Sequence, residues 1–414
     1  MKVTHLNHSD KKGGAARFAF RTHEAVKSVG VKSELIVSAK QGMENDTIQI
    51  SNLGPTFLLN ARAKLSQFLD QKIRVFERTE NYHYKSPSMF GAISKKNVDN
   101  FNSDVVHLHW VNGGLISIKT IGQISKPVVW SILDMWPFLG AEHYDDYDAT
   151  ARWVEGFSKT NRSKKDHGLD ICLHAWNNKI KYWNNLNLVA PGAWLRNRAL
   201  ESNLFKESKI TIIPPAINTK FFTQLDKSEV RKRLGLPENT RIIGYGGAFS
   251  GRKGWEIFRE ILENGLPSKE KVAIVVFGTP INSLFENFRI PIYQFGLIDS
   301  DAQLRDLYSA MDLLIMPSLV EAYGLIAQEA QSCGVSVVGF SETGIADVIA
   351  ENRTGLLVTS RDSESLSLAI VSILEDNEMQ KEFSLNARNR AITEWDYSVV
   401  GQRYLNLYRT LVDF

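Results

Sequence analysis

The N-terminal segment alternates between apolar runs of strand length and one longer amphipathic run. Lys2–Asn7 has the pattern of a strand, Gly13 and Gly14 break the chain, and Ala15–Val29 carries the periodicity of a helix. A second strand is predicted at Ser33–Ser38. This order predicts a βαβ unit, and therefore a parallel sheet with helices on both faces.

Further buried-strand patterns follow in two series, which are separated near Pro214 and Pro215. The first series comprises Asp104–His109, Pro127–Leu133, Leu186–Ala190 and Ile210–Pro214, with helix plus loop predicted over Glu142–Lys181. The second series comprises Arg241–Tyr245, Val272–Phe277, Pro291–Phe295, Asp312–Met316 and Val335–Phe340. Helices are predicted at Asp301–Ala310, Gly324–Cys333, Ser363–Glu375, Gln380–Glu394 and Val399–Val412. Two such series predict an α/β protein with two doubly wound, Rossmann-like domains facing across a cleft, with ligands at the carboxyl ends of the strands.

Composition narrows the class of protein. The 414 residues are 43% hydrophobic and 23% charged, which is typical of a globular chain of two or three domains, and the net charge of +3 is too small for a dedicated nucleic-acid binder. The two cysteines are too few and too far apart to indicate a disulfide framework. No apolar run approaches the roughly 18 residues of a membrane span, and the first residues do not have the pattern of an apolar targeting region. We therefore expect a cytoplasmic protein that is soluble or at most peripheral to the membrane. Basic clusters are either solvated surface or contacts for an anionic lipid or lipid-linked acceptor, and they are Lys95, Lys96, Lys159, Arg162, Lys164 and Lys165.

Glycines follow the first predicted strand of each domain. Gly13 and Gly14 stand where backbone amides and the positive end of a helix can hold an anion, although a tight turn explains them equally well. Gly246 and Gly247 have the same position in the second domain. Neither pair forms a Walker sequence or a G-x-G-x-x-G motif.

A basic pair, Arg252 and Lys253, follows the second glycine turn and precedes a helix that begins near Trp255. Arginine can donate to two phosphate oxygens at once, and lysine supplies a compact positive charge. The pair is therefore suited to a diphosphate, and a solvated basic turn is the alternative.

Two glutamates flank the start of the helix after Pro317. Glu321 precedes this helix, so its carboxylate is expected at the carboxyl end of a strand, facing the cleft. Glu329 lies within the helix on a face that is small and apolar, where a carboxylate without a partner would be costly to bury. It would be stabilised by a ligand diol such as the hydroxyls of a ribose, and the alternative is a side chain that reaches the helix edge.

The glutamate pair, with seven residues between its members, resembles that of the retaining GT-B-fold glycosyltransferases of family 4. The flanking Pro317, Gly324 and Leu325 fit the same pattern. The N-terminal half is similar to the branch that builds bacterial exopolysaccharides, capsules and O-antigens. Its matching stretches are 13–17, 104–110 and 134–138, and the C-terminal matches also include Phe295, Gly296, Asp312 and 354–358.

The resemblance implies an enzyme that moves a sugar from a nucleoside diphosphate sugar to a glycan or lipid-linked glycan with retention, without a metal or another cofactor. It implies an acceptor-side domain at 1–218, a donor domain at 219–396 and a helix at 397–414 that returns to the first domain. Glu329 would hold the ribose, Glu321 the donor sugar, and Arg252 and Lys253 the leaving diphosphate. The implied catalytic residues are Glu321, Lys253, Arg252, Asp134 and His109. The implied donor-binding residues are Gly13, Gly14, Gly246, Gly247, Arg252, Lys253, Gly296, Leu297, Glu321, Tyr323, Gly324, Leu325 and Glu329.

One departure from the family pattern bears directly on activity. Leu133 occupies the position before Asp134 where relatives commonly have a histidine, so His107 or His109 would have to substitute for it, unless both are structural strand-end residues. This departure leaves a catalytically degenerate sugar-nucleotide-binding protein as an alternative. A nicotinamide-dependent oxidoreductase is a second alternative, which the absence of G-x-G-x-x-G opposes.

Overall fold

A computed structural model of the chain describes residues 1–50, 56–79, 83–145, 151–184, 186–281, 283–285 and 288–412. The chain forms two compact units, one comprising Met1–Ala216 with Tyr397–Phe414 and the other Ile217–Asp396. Each unit has its own parallel sheet with helices between the strands. Both cysteines, Cys172 and Cys333, are buried and free.

The first unit is built on a seven-stranded sheet. The strands up to Ala216 are β1 (Lys2–Ser9), β2 (Lys32–Ala39), β3 (Thr47–Gln49), β4 (Glu77–Arg78), β5 (Val105–Leu108), β6 (Val128–Ser131), β7 (His167–Gly168), β8 (Asn187–Ala190) and β9 (Ile210–Ile212). The helices are α1 (Gly14–Ser28), α2 (Thr56–Ile73), α3 (Lys95–Asp99), α4 (Ile118–Ile121), α5 (Arg152–Glu155), α6 (Ile171–Tyr182) and α7 (Ala193–Glu201). The parallel sheet has the order β3-β2-β1-β5-β6-β8-β9, while β4 and β7 form a separate antiparallel pair.

The second unit has a six-stranded parallel sheet of order β12-β11-β10-β13-β14-β15. Its strands are β10 (Arg241–Gly246), β11 (Val272–Phe277), β12 (Ile292–Gln294), β13 (Leu313–Met316), β14 (Ser336–Phe340) and β15 (Gly355–Val358). Its helices are α8 (Lys227–Leu234), α9 (Trp255–Asn264), α10 (Asp301–Ala310), α11 (Leu325–Ser332), α12 (Ser363–Glu375) and α13 (Asn377–Arg390). Counted within the unit, the strand order is the 3-2-1-4-5-6 order of a doubly wound nucleotide-binding fold.

The last helix, α14 (Tyr397–Arg409), packs in the first unit against α1. At Gly401 the two helices come so close that an added Cβ would lie 2.1 Å from the carbonyl oxygen of Ala25. Val400 and Tyr404 are buried there beside Val26. The end of the chain therefore completes the hydrophobic core of the first unit.

The prediction of an α/β protein with two doubly wound domains is confirmed, and every strand predicted from an apolar run is present. The predicted helix Gln380–Glu394 is wrong in detail. It begins earlier, at Asn377, because the carboxylate of Asp376 accepts hydrogen bonds from the first turn, and it ends in a π-helical turn at Ala391–Trp395. Helices α2, α3, α4, α7 and α8 are absent from the predictions. Part of the segment predicted as helix plus loop, residues 146–150, lies outside the described residues.

Among the helices in the described part of the chain, none combines the length and the apolar character that crossing a bilayer requires.

Candidate active site

The strand order of the second unit reverses between β10 and β13, and doubly wound sheets bind their ligands beyond the carboxyl ends of the strands at this point. β10 ends at Gly246, where an added Cβ would lie 2.4 Å from the ring of Phe277. Gly247 follows with φ of 123°, which side-chain-bearing residues rarely adopt. Glycine is therefore required at both positions for the chain to turn away from the sheet.

The turn after β10 lies directly against the turn after β13. Gly254 has a left-handed φ of 69°, and an added Cβ would lie 1.8 Å from the carbonyl oxygen of Pro317. The N–H of Leu319 donates to the carbonyl of Arg252 at 2.8 Å, and the guanidinium of Arg252 donates to the carbonyl of Val320 at 3.0 Å. Backbone contact thus brings the basic pair to the segment that carries the first glutamate.

Lys253 and Glu321 form an ion pair at this edge of the sheet. Glu321 is buried, at 8% exposure of the residue, and its carboxylate also accepts a hydrogen bond from the hydroxyl of Ser318 at 3.5 Å. Burial alone would raise the pKa of Glu321, but the positive charges of Lys253 and Arg252 outweigh it, so the pKa lies below its usual value. Glu321 is therefore ionised near neutral pH. The sequence analysis assigns Lys253 to the diphosphate and Glu321 to the donor sugar, whereas in the structure the two side chains pair with each other.

The N-terminus of α11 adjoins Glu321. Gly324 precedes the helix with φ of 103°, and an added Cβ would lie 2.5 Å from Cδ1 of Ile345. Leu325 is the first helical residue, and the added Cβ on Gly324 would lie 3.9 Å from Cγ of Glu321, so the helix, whose first amide groups have no acceptor within it, begins next to Glu321. Tyr323 is buried in the hydrophobic core at 5% exposure.

Glu329 lies one turn further along α11 and is 2% exposed. The hydroxyl of Tyr308, on α10, donates a hydrogen bond to its Oε2 at 2.6 Å. The expectation that this carboxylate lacks a protein partner is therefore wrong, and so is the alternative of a side chain reaching the helix edge. Apolar spacing could not reveal the tyrosine, because it lies on a different helix.

Gly296 and Leu297 follow β12. The carbonyl of Gly296 accepts a hydrogen bond from the N–H of Gly278 at 2.8 Å, and an added Cβ on Gly278 would lie 3.0 Å from the amide nitrogen of Gly247. A backbone chain therefore links Gly296 to the turn after β10. The side chain of Leu297 is 68% exposed.

The predicted residues of the first unit follow β1, β5 and β6. Gly13 caps α1 with φ of 89°, Gly14 is the first helical residue, and the first turn contains no acidic side chain. The helix end therefore retains its positive partial charge.

Asp134, after β6, lies in a buried polar network. Its carboxylate accepts hydrogen bonds from Nδ1 of His143 at 2.6 Å and from the indole N–H of Trp110 at 3.1 Å. Nε2 of His143 is 2.8 Å from the hydroxyl of Ser86. The imidazole is thus oriented by a carboxylate on one side and a hydroxyl on the other, an arrangement that can hold a proton at a defined atom.

His143 was not singled out in the sequence. Relatives were expected to carry a histidine immediately before Asp134, whereas here the histidine that contacts Asp134 lies nine residues later. In the sequence, His143 is only one histidine in a polar segment. Its contact with Asp134 arises because that segment folds back to the end of β6.

His109 lies in a buried cluster with His5 and His107 rather than at the surface. Nδ1 of His5 is 2.9 Å from Nε2 of His109, and His107 bonds to the hydroxyls of Ser131 and Tyr408. One ring nitrogen from each of the three histidines lies within 4.8 Å of the others, a grouping that could hold a metal and that sequence spacing did not reveal. These contacts favour the structural interpretation of His107 and His109.

The histidine cluster predicts acid-sensitive folding. Burial is the main reason that the pKa values of His5 and His107 lie well below the usual value and that the pKa of His109 falls to about 3. In the unfolded chain these histidines bind protons as the pH falls through about 6.5, whereas in the folded cluster they remain neutral. The contribution of the cluster to the free energy of unfolding is therefore fully present above that pH. Below it, the contribution falls by roughly 1.4 kcal/mol per pH unit for each histidine. Denaturant unfolding of the chain and of His109→Gln between pH 7 and 5 should show a shallower pH slope for the variant. Identical slopes would contradict this origin of the acid sensitivity.

Residues 226–390, within the second unit, match the family model of glycosyl transferases group 1. A D-inositol 3-phosphate glycosyltransferase of Stackebrandtia nassauensis is 27% identical over 198 residues, covering 44% of this chain and 45% of the relative. The chain therefore matches less than half the length of that relative.

Two solved structures cover nearly the whole chain. Anabaena Alr3699/HepE, in complex with UDP and glucose, has a TM-score of 0.65 at 16% identity and covers 99% of this chain and 100% of its own. Sucrose-phosphate synthase from Thermosynechococcus elongatus has a TM-score of 0.64 at 17% identity and covers 99% of this chain and 98% of its own. The chain has the two-domain α/β fold of GT-B glycosyltransferases.

Proposed function

We propose that this chain is a glycosyltransferase that moves a sugar from a nucleoside diphosphate sugar to a glycan or lipid-linked glycan acceptor, with retention, in surface polysaccharide synthesis. The observation that carries the proposal is the group Arg252, Lys253 and Glu321 at the strand-order reversal of the second unit. The match of residues 226–390 to glycosyl transferases group 1 supports it independently.

In this proposal the leaving diphosphate is stabilised by the basic pair. Cleavage of the sugar–phosphate bond places increasing negative charge on the diphosphate, and fixed positive groups stabilise that charge most where water is excluded. Lys253 is held in place by Glu321, and it would exchange part of this contact for a phosphate oxygen when the donor binds. The free amides at the start of α11 would donate to the same phosphates or to the sugar.

The two glutamates would fix the rest of the donor. Glu321 is ionised and can accept hydrogen bonds from sugar hydroxyls, while Glu329 would accept them from the ribose. The pairing of UDP with glucose in HepE makes a uracil nucleotide the first donor to test. No resident metal is required in this scheme, because the basic pair and the helix end supply the positive charge.

Asp134 and His143 are the proposed polar groups on the acceptor side. Their hydrogen bond fixes the orientation of the imidazole. If the hydrogen bond between Nε2 of His143 and the Ser86 hydroxyl breaks, Nε2 can accept or donate a proton in the reaction. His143 would thus take the role of the histidine that relatives commonly have at the position of Leu133.

A second candidate function rests on that same leucine. If His143 remains bound to Ser86, the chain would bind a sugar nucleotide without transferring the sugar. Tight nucleotide binding without turnover of any sugar donor across glycan acceptors would favour this candidate.

The proposal predicts that one nucleotide stabilises the protein. In a thermal unfolding screen of UDP, GDP, ADP, dTDP and CMP, each with and without magnesium, we expect one diphosphate to raise the melting temperature by roughly 5 °C at a hundredfold excess over its dissociation constant. The shift should not require magnesium. If no nucleotide raises the melting temperature, the proposed donor site is wrong; a shift only with magnesium would contradict the metal-independent scheme alone.

A further inference from the structure

Over residues 61–73, whose side chains the structure describes, helix α2 has an inverted arrangement of polar and apolar side chains. Ser66 and Asp70 are buried at 5% and 6% exposure, whereas Leu65 and Phe68 are 56% and 52% exposed. A surface helix of a globular protein normally buries its apolar side chains and exposes its polar ones. Something other than the hydrophobic effect therefore sets the orientation of α2.

Hydrogen bonds hold the polar side of α2 against the protein. The Asp70 carboxylate accepts the N–H groups of Ser88 at 2.9 Å and Met89 at 3.2 Å, and Nε of Arg62 donates to the carbonyl of Gly91 at 2.9 Å. Burial is the main reason that the pKa of Asp70 rises to about 6 despite these bonds. At Gly114 an added Cβ would lie 2.7 Å from the amide nitrogen of Gln67, so backbone packs on backbone here. This face cannot rotate outward without breaking these contacts.

The apolar exposure continues beyond the helix. Val75 and Phe76 are 73% and 68% exposed in the 3-10 turn that follows α2. Leu65, Phe68 and Lys72 recur at the spacing that places side chains on one helical face. We call Leu65, Phe68, Val75 and Phe76 the α2 apolar face.

The charges around the α2 apolar face are positive. Lys64, Lys72 and Arg78 are exposed, and Nζ of Lys72 lies 5.5 Å from the centroid of the Phe68 ring. Between residues 61 and 79 the acidic side chains are Asp70, which is buried, and Glu77, which pairs with Lys85 at 2.7 Å. An approaching anionic surface therefore meets lysines and apolar groups together without an exposed carboxylate from this segment.

We propose that the α2 apolar face, with Lys64 and Lys72, binds the protein to a membrane surface that contains anionic lipid. Exposed apolar side chains enter the boundary between headgroups and acyl chains, while lysines contact the lipid phosphates, and this combination defines an interfacial helix. The inference stands without the proposed transfer activity. Together with that activity, it would hold the enzyme beside a lipid-linked acceptor.

The basic clusters recognised in the sequence are weaker candidates for this contact. Arg162 donates to the carbonyls of Gly168 and His167 and lies close to Asp170, and Lys95 pairs with Asp99. The charges of Arg162 and Lys95 are therefore partly neutralised within the protein. Lys64 and Lys72, which lie beside exposed apolar side chains, are the stronger candidates for a lipid contact.

The test is flotation of the full chain with vesicles of phosphatidylcholine alone and of phosphatidylcholine mixed with phosphatidylglycerol. We expect binding only to the mixed vesicles, weakened by added salt. Lys64→Gln with Lys72→Gln should lower the partition coefficient roughly 10- to 30-fold, and Leu65→Gln with Phe68→Gln about 10-fold or more. The matched control is Leu368→Gln with Leu385→Gln, which replaces side chains that are 59% and 62% exposed on helices α12 and α13 and should leave binding unchanged.

Three outcomes would overturn the proposal. Binding that is equal for the α2 variants and the unchanged chain would exclude this face. Absence of binding to the mixed vesicles would exclude a lipid surface as the occupant. A self-association measured by sedimentation that disappears in Leu65→Gln with Phe68→Gln, without vesicle binding, would assign the face to a second copy of the chain. None of these measurements depends on sugar transfer, so failure here leaves the proposed function intact.

Discussion

Replacing Lys253 with alanine is expected to slow sugar transfer by roughly 10²–10³-fold, with a smaller change in the affinity for donor. The reason is that Lys253 supplies positive charge where the leaving diphosphate gains negative charge, so its contribution is largest in the transition state. The measurement is steady-state turnover of the nucleotide sugar identified by thermal unfolding, with kcat and KM determined separately. Turnover close to that of the unchanged chain would remove Lys253 from the proposed mechanism.

The control must separate loss of catalysis from loss of fold, because Lys253 is the ion-pair partner of the buried Glu321. Removing the lysine leaves that carboxylate with the charge of Arg252, and some stability will be lost. Lys381→Ala removes an exposed lysine paired with Glu378 in the same unit and should leave both turnover and stability unchanged. A Lys253→Ala protein that remains folded at the assay temperature but transfers sugar slowly would support the catalytic assignment.

Replacing Glu329 with glutamine is expected to weaken binding of the nucleoside diphosphate by roughly 10- to 100-fold, because a ribose hydroxyl loses a charged hydrogen-bond acceptor. Glutamine keeps nearly the same volume, so the packing of α11 against its neighbours should be retained. Binding is measured by calorimetric titration with the diphosphate alone, which avoids any dependence on the sugar or the acceptor.

Tyr308→Phe supplies the matched control for Glu329. It removes the hydrogen bond at 2.6 Å between α10 and α11 while leaving the carboxylate in place. If Glu329 contacts the ribose, nucleotide affinity should fall much further in Glu329→Gln than in Tyr308→Phe. Equal losses in the two variants would mean that the carboxylate serves only to join the two helices.

The turns after β10 and β13 show how far sequence reasoning reaches. Glycines and a basic pair predicted a strand-to-helix turn, and this turn is present between β10 and α9. The sequence could not show that Gly254 touches Pro317, because that contact joins positions more than sixty residues apart. Without that contact, Lys253 and Glu321 appeared as independent groups, whereas the fold makes them an ion pair.

The orientation of helix α2 is a second feature that local sequence patterns do not predict. Leu65 and Phe68 stand three positions apart, a spacing that on a helix usually belongs to a buried face, whereas the structure exposes both side chains. The determining contacts are the hydrogen bonds that the Asp70 carboxylate accepts from the N–H groups of Ser88 and Met89 and the one that Arg62 donates to the carbonyl of Gly91. No local pattern encodes these contacts. His143 is a similar case, since its role depends on the return of its segment to Asp134.

The sequence by itself determined the class of fold, because apolar runs, amphipathic periods and glycine breaks are local signals that follow from backbone geometry and burial. It also identified the charged residues of the proposed donor site by type and spacing. Only the tertiary structure decided the partners of those residues: Lys253 with Glu321, Tyr308 with Glu329 and His143 with Asp134. The physical reason is that ion pairs and buried hydrogen bonds are set by distances across the packed chain, which depend on how sheets and helices assemble.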